Sequence, residues 1–184
     1  MKRRSFLKTA AALLPAAGLG SFSLDQALAA PSPDEVHVVP AGQDRLGESH
    51  SLGFSSIRFK VLPRETGGGL FVVEHTHLVH GGPPLHYHPH QEEWFYVMDG
   101  EVLFQVGEKR VQLGSGESVL GPRGIPHTFT QVGEKPGRLL IAFTPAGKME
   151  KFFRTATKPD APKLDAAFYR QFDVEVVGPP LKVK

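Results

Sequence analysis

The sequence contains no cysteine. A chain without thiols forms no disulfides, binds no zinc through thiolates and has no cysteine nucleophile. Long apolar runs are also missing. The run from Thr9 to Leu19 is interrupted by Pro15 and Gly18, and it is too short to cross a bilayer as a helix. The fold therefore depends on a buried core, on a metal ion or on association of subunits.

Most of the chain also lacks an excess of positive charge. The formal net charge is +2, but Lys2, Arg3, Arg4 and Lys8 less Asp25 account for +3 of it, so the remainder is close to −1. The sequence pI near 8.9 reflects these N-terminal residues. We therefore expect this protein to bind neither nucleic acid nor a membrane surface.

The N-terminal residues have the pattern of a twin-arginine export signal. Arg3-Arg4-Ser5-Phe6-Leu7-Lys8 precedes the apolar run, and Ala27-Leu28-Ala29 is an A-x-A cleavage site. The sequence predicts a signal peptide over residues 1–29, a periplasmic or secreted location, and no stable membrane insertion after cleavage. Cleavage would leave about 155 residues, a length typical of one domain. We divide them into an N-terminal arm over 30–53 and a single domain with a helical tail over 54–184.

From Phe54 onward, short β-rich runs alternate with turn residues, which predicts an all-β barrel or jelly roll. The predicted strands are Ser55–Leu62, Leu70–Val79, Trp94–Met98, Glu101–Val106, Lys109–Leu113, Ser118–Leu120, His127–Val132 and Arg138–Thr144. Asp99-Gly100 predicts a hairpin, and Gly107-Glu108 predicts a second tight turn.

The two ends of the chain differ from this pattern. In the arm, Val36–Val39 is a candidate strand. In the tail, Lys148–Thr155 and Leu164–Phe172 are predicted short helices, and Val174–Val177 is a candidate edge strand.

Four residues have the types and spacing of metal ligands. His86 and His88 share one face of a strand, because successive side chains point to opposite faces. Glu93 is out of phase with both and reaches the same ion only if the chain turns at Pro89. His127 follows proline and glycine residues that permit a sharp bend. Three imidazoles and one carboxylate suit a first-row divalent ion with open positions for oxygen or substrate.

The arrangement of these residues resembles the two motifs of the cupin superfamily. The first motif, H-x-H-x4-E-x6-G, is met by His86, His88, Glu93 and Gly100. The second, G-x5-P-x-G-x2-H-x3-N, is met by Gly116, Pro122, Gly124 and His127, with Gln131 in place of the usual asparagine. His80 stands where the first motif often begins with glycine. The resemblance extends from Leu70 to Thr144 and is to small single-domain bacterial cupins of the quercetin-dioxygenase-like kind.

The resemblance implies a double-stranded β-helix, or jelly-roll barrel, with His86, His88, Glu93 and His127 as the metal ligands. The expected cofactor is one divalent transition metal; manganese or iron is favoured, and copper, nickel, cobalt or zinc would also fit. The expected activity is that of a dioxygenase acting on a small organic substrate and O₂, with Glu93 as ligand and catalytic base. Non-catalytic metal or ligand binding in the periplasm, and decarboxylation or oxidation of small acids, remain alternatives.

Several neighbouring residues are expected to have other roles. Spacing favours Glu93 over Glu92 as the ligand. His90 is expected to be a turn residue or a residue that contacts a ligand, rather than a ligand itself. Arg123 is expected to be structural. His75 and His77 are predicted to share a strand face, which would make them either pocket residues or surface residues.

The same alternation predicts which side chains face the barrel interior. Phe95 and Val97 should point inward with Glu93. The interior is expected to include Val102, Phe104 and Phe129. The outward set is apolar and comprises Trp94, Tyr96 and Met98. Such a surface is expected to be covered by the arm or by another subunit, and the cupin resemblance implies a homodimer.

Overall fold

The computed structural model describes residues 36–183. The signal peptide predicted over 1–29 and the first residues of the predicted arm lie outside the described residues. Within 36–183, every helix is too short or too polar to cross a membrane.

Two antiparallel sheets make up most of this structure. Its strands are β1 (His50–Ser51), β2 (Ser56–Val61), β3 (Phe71–Leu78), β4 (Leu85–Tyr87), β5 (Glu92–Asp99), β6 (Val102–Val106), β7 (Lys109–Leu113), β8 (Ser118–Gly121), β9 (His127–Gln131), β10 (Gly137–Thr144) and β11 (Glu175–Gly178). One sheet has the order β1-β2-β3-β10-β5-β8, and the other has the order β11-β4-β9-β6-β7. The all-β jelly-roll prediction is confirmed.

Three short helices accompany the sheets. A 3₁₀ helix, Pro63–Thr66, connects β2 to β3. α1 (Met149–Ala156) buries Met149, Phe152, Phe153 and Ala156, the spacing of one apolar helix face. α2 (Ala166–Arg170) begins after Asp165, whose carboxylate accepts hydrogen bonds from the backbone N–H groups of Ala167 and Phe168.

The core lies between the sheets, and alternation along β5 shows how the sequence builds it. Phe95 and Val97 are buried, whereas Trp94 is 36% exposed. The rings of Trp94 and Tyr96 stack on the outer face with their centroids 5.8 Å apart. The inward and outward sets predicted for this strand are confirmed.

Two predictions about local structure are wrong. Val36–Val39 forms no strand, and two of its three valines, Val36 and Val38, are exposed. Asp99-Gly100 is a turn but not a hairpin, because β5 and β6 belong to different sheets. Gly100 has φ +83°, and a Cβ there would lie 2.9 Å from the Gly137 Cα. By contrast, Gly107-Glu108 joins β6 to β7 in the predicted tight turn, with Val106 paired to Lys109.

The prediction that His75 and His77 share a face is also wrong. Leu139 of β10 pairs with His75 of β3, and Gly137 pairs with Leu78. Two residues of β3 but only one residue of β10 lie between these pairs, so β3 contains one extra residue. His77 lies in this bulge with φ 51°. Because an extra residue breaks the two-residue alternation, His75 is buried and His77 is exposed.

Candidate metal centre

The structure brings together the four residues with ligand spacing. His86 lies in β4, His88 just after it, Glu93 near the start of β5 and His127 at the start of β9. One potential ligand atom from each lies within 4.8 Å of the others, and all four residues are buried. Because β5 is in one sheet and β4 and β9 are in the other, the cluster joins the two sheets.

The imidazoles converge on a single carboxylate oxygen. Glu93 Oε2 lies 2.8 Å from His127 Nε2, 3.0 Å from His88 Nε2 and 3.8 Å from His86 Nε2. The Nδ1 atoms of His86 and His127 lie 2.8 and 2.9 Å from the carbonyl oxygens of Pro84 and Ile125. A carbonyl only accepts, so both Nδ1 atoms carry hydrogen and donate, leaving Nε2 as the atom available to a metal.

The charges of this cluster depend on its burial and its internal contacts. Burial opposes ionisation of Glu93, but hydrogen bonding by His127, the closeness of His86 and hydrogen bonding by His88 hold the pKa of this carboxyl well below its ordinary range. Burial lowers the pKa of His86. Burial also opposes charging of His127, but its hydrogen bond to Glu93 raises its pKa. A proton and a metal ion therefore compete for the same His127 nitrogen.

Backbone geometry leaves little room around the cluster. Gly121, at the end of β8, is the Cα partner of Glu93. A Cβ at Gly121 would lie 2.9 Å from His127 Nδ1 and 3.1 Å from its Cγ and Cε1. The turn between β8 and β9 is held to the first motif by a 2.9 Å hydrogen bond from the Gly124 N–H to the His88 carbonyl.

An apolar cavity of about 260 Å³ adjoins the cluster. His86, His88 and Glu93 line it, together with Ile141 and Met149. Its aromatic lining comprises Phe54, Phe129, Phe143, Phe152, Phe153 and Tyr169. A cavity of this kind, with few polar groups, is typical of sites for small organic molecules.

The other candidate residues lie outside the cluster. Glu92 accepts two hydrogen bonds of 2.8 Å from Arg123 at the surface, which agrees with the structural role predicted for Arg123. His90 is exposed. Gln131 is buried and donates to the Gly133 carbonyl, so in this position it closes the loop after β9.

A family model described as the cupin domain matches residues 74–143, which include all four clustered residues. This chain carries a cupin domain. The tetracenomycin polyketide synthase protein TcmJ of Streptomyces glaucescens is 26% identical over 112 residues, covering 60% of this chain and 74% of TcmJ. Polyketide synthase CurC of Streptomyces cyaneus is 25% identical over 84 residues, covering 46% of this chain and 54% of CurC.

A solved structure shows the same cupin fold. An RmlC-like cupin from Shewanella frigidimarina matches with a TM-score of 0.52 and 20% identity. The match covers 63% of this chain and 96% of that protein.

The cupin cavity includes residues that the sequence analysis did not assign to it. Phe152 and Phe153 of α1 and Tyr169 of α2 contribute to its wall. The apolar spacing along α1 was the available signal, but it indicates a buried face without showing what that face covers. Val102, Phe104 and Phe129 all lie in the barrel interior, as predicted, and Phe129 alone among these three lines the cavity.

Proposed function

We propose that this protein is a metal-dependent enzyme of the dioxygenase type that acts on a small, largely apolar organic molecule. One observation supports this proposal most directly: three imidazoles and a carboxylate converge beside an aromatic cavity. A ligand set of this kind leaves coordination positions open on a six-coordinate ion. The cavity provides space next to those positions for an organic substrate.

The donors fit one divalent first-row ion, held by His86, His88, Glu93 and His127. Hydrogen bonds from Nδ1 to backbone carbonyls orient two of the imidazoles with Nε2 towards the ion. We favour manganese or iron, while copper, nickel, cobalt and zinc also accept these ligands. When bound, such an ion would supply Lewis acidity and, if redox-active, electron transfer with O₂.

We infer that Glu93 is also the catalytic base. Its carboxyl has a pKa well below the ordinary range, so it is ionised at neutral pH. Because so low a pKa makes a weak base, we assign to it only an acidic proton, such as that of a substrate hydroxyl acidified by the bound ion. It lines the cavity as well as contacting the imidazoles. The surrounding phenylalanine rings exclude water from the substrate, which strengthens electrostatic interactions at the site.

A second candidate is a ring-forming reaction that consumes no O₂. It is favoured by the two relatives described as polyketide synthase proteins and by the aromatic cavity wall, which suits planar ring systems. In this reaction Glu93 would remove a proton, and an ion held by His86, His88 and His127 would supply Lewis acidity for a carbonyl group.

Oxygen consumption distinguishes these functions. Protein loaded with manganese or iron is mixed with flavonols, diketones or oxalate, and O₂ uptake is measured with an oxygen electrode. Substrate turnover is then measured with the same compounds in the absence of oxygen. We expect O₂ uptake with a flavonol or diketone, abolished in Glu93→Gln. Turnover without oxygen would indicate ring closure, or decarboxylation if oxalate is consumed. Stoichiometric metal without any turnover would instead indicate a non-catalytic binding protein.

We also propose that two copies of the chain associate through the outer face of β5 and that the protein is exported. The dimer is supported by the exposed Trp94 and Leu120, which are cross-strand neighbours. Export is supported by the twin-arginine pattern at Arg3 and Arg4.

A further inference from the structure

His75 lies in the wall of the cavity but does not belong to the metal-ligand cluster. It is in the middle of β3, buried, with its ring 5.8 Å from the Phe129 ring and 6.1 Å from those of Phe54 and Phe153. Its Nδ1 is 2.8 Å from the Ser55 hydroxyl oxygen. Its Nε2 is buried and has no hydrogen-bond partner among residues 36–183. A buried polar atom without a partner is costly unless a ligand supplies one.

The contact with Ser55 determines which nitrogen carries the hydrogen. The only side-chain hydrogen bond of Ser55 within the described chain is to His75 Nδ1. If Nδ1 donated, the buried hydroxyl hydrogen would have no acceptor. If the hydroxyl donates, both atoms are satisfied and the neutral imidazole carries its hydrogen on Nε2. Burial keeps this imidazole neutral by lowering its pKa to about 4. His75 therefore offers one N–H donor from an apolar wall.

We propose that His75 Nε2–H is a specificity-determining donor that binds an oxygen acceptor on the substrate, and that the substrate is a planar ring compound bearing a carbonyl or ether oxygen. This inference rests on the proposed function, because it assumes that the substrate also binds the metal. The oxygen that accepts from His75 is then a second group of the same substrate, separate from the group that binds the metal. The flanking rings of Phe54, Phe129 and Phe153 suit a planar apolar body. A substrate without such an oxygen would leave the N–H unpaired.

Two features of the cavity favour an acceptor-bearing ligand over a cation or a fully apolar one. A cation would be repelled by the hydrogen on Nε2, and a hydrocarbon would leave that hydrogen unsatisfied. Tyr169, on the helical side of the cavity, is the other neutral donor in the wall, because burial and then the charge of Glu93 raise its pKa to about 12. Outside the metal-ligand cluster, the cavity thus presents neutral hydrogen-bond donors, which suit a ligand that is apolar except for an oxygen acceptor.

The test compares two ligands of nearly equal shape, 1-tetralone and tetralin, which differ by one carbonyl oxygen. Binding to the metal-free protein is measured by calorimetry, so that metal coordination does not contribute. We expect the wild type to prefer the ketone by about fivefold or more, the order expected for one buried hydrogen bond. His75→Phe should remove most of this preference, and His75→Gln, which keeps an N–H donor, should restore part of it. The matched control His77→Phe changes an exposed histidine of the same strand and should leave the preference unchanged.

Equal preference in wild type and His75→Phe would overturn the proposal, as would equal binding of both ligands by the wild type.

If His75→Phe fails to fold, nitrogen-15 NMR of the wild type provides the decision. His75 Nε2 should resonate as a protonated nitrogen, and its proton should shift with 1-tetralone but not with tetralin. An unprotonated Nε2, or no selective shift, would contradict the assignment. A wild-type protein that prefers the ketone but neither binds metal nor turns over substrate would contradict only the proposed function. A protein that turns over substrate but shows no ketone preference would contradict only this inference.

Discussion

His86 and His127 face each other as direct Cα partners across β4 and β9, and both donate from Nδ1 to the carbonyl oxygen two residues earlier. The donor–acceptor distances are 2.8 and 2.9 Å. The same local hydrogen bond on two neighbouring strands sets both rings in one tautomer, with Nε2 towards Glu93. The ligand geometry is therefore built mainly by the backbone and should survive without the metal.

Replacement of one ligand should remove the metal without unfolding the domain. We expect His127→Ala to weaken metal binding more than the roughly 10–100-fold caused by loss of a group that only orients a ligand. The far-UV circular dichroism spectrum should be unchanged, because the apolar core extends well beyond the cluster. The exposed His90→Ala serves as the control and should retain metal. Wholesale unfolding of His127→Ala would show that the metal is structural instead.

A substitution that touches no ligand atom should also disturb the site. Gly121→Ala places a methyl group 2.9 Å from His127 Nδ1, so the imidazole must move from its position above Glu93. We expect metal affinity to fall about tenfold or more, measured by competition with a chelator. Gly114→Ala is the matched control, since the nearest atom to its Cβ is a side-chain oxygen 3.8 Å away. Equal affinity in the two variants would contradict the tight fit inferred for His127.

The sequence predicted most strands to within two residues, because two-residue alternation of burial extends along strands such as β5. The strand assumed for His86 and His88 had no predicted bounds, and β1 was not predicted, since two or three residues are too few for an alternation to be recognised. Three of the four clustered residues could be predicted from local spacing, because His86 and His88 share a face and Glu93 lies just beyond the turn. His127 is 34 residues further along the chain and was added through the resemblance of its surroundings to the second cupin motif. Glu93 was distinguished from Glu92 by its distance to Gly100 alone, and the structure places Glu92 with Arg123 instead.

Features that depend on contacts between distant segments could not be predicted. The bulge that separates His75 from His77 arises from pairing of β3 with β10, about sixty residues later in the chain. The turn at Asp99-Gly100 has hairpin residues, and only the surrounding sheets show that it passes from one sheet to the other. Likewise, nothing local to Tyr169 indicates that it lines a cavity with His86.

The buried His75 should make the stability of the metal-free protein depend on pH. Its folded-state pKa is about 4, whereas the ordinary pKa of a histidine is 6.5, so the unfolded chain binds more protons between these values. The free energy of unfolding should therefore fall as pH decreases through this window, by about 2 kcal/mol at pH 5 from this group. Urea titrations at pH 7 and pH 5 should show a correspondingly smaller loss in His75→Gln. The exposed His77→Gln should behave as wild type, and an identical loss in all three proteins would contradict this assignment.

The proposed dimer should depend on the outer face of β5 and β8. Trp94 and Leu120 are adjacent across these strands and are 36% and 47% exposed. Introducing a charge there, as in Trp94→Asp or Leu120→Asp, should convert the dimer to a monomer, because a buried unpaired carboxylate is costly. Light scattering coupled to size exclusion gives the mass. Val111→Asp, at an exposed apolar position of the other sheet, should remain dimeric. A monomeric wild type, or a dimeric Trp94→Asp, would refute this interface.

The metal that this site holds should depend on the compartment in which the protein folds. By affinity alone, a site of three imidazoles and one carboxylate prefers copper or zinc to manganese or iron. Twin-arginine export carries folded proteins, so a signal of this type would allow the site to fill in the cytoplasm, where free copper and zinc are scarce. All four ligands are buried, so later exchange outside the cytoplasm should be slow.

We therefore expect manganese or iron in natively exported protein and copper or zinc in protein refolded in an equimolar metal mixture, both measured by elemental analysis. Precursor with Arg3 and Arg4 replaced by Lys should stay in the cell and retain manganese or iron. The same copper or zinc content in exported and refolded protein would show that the folding compartment does not select the metal.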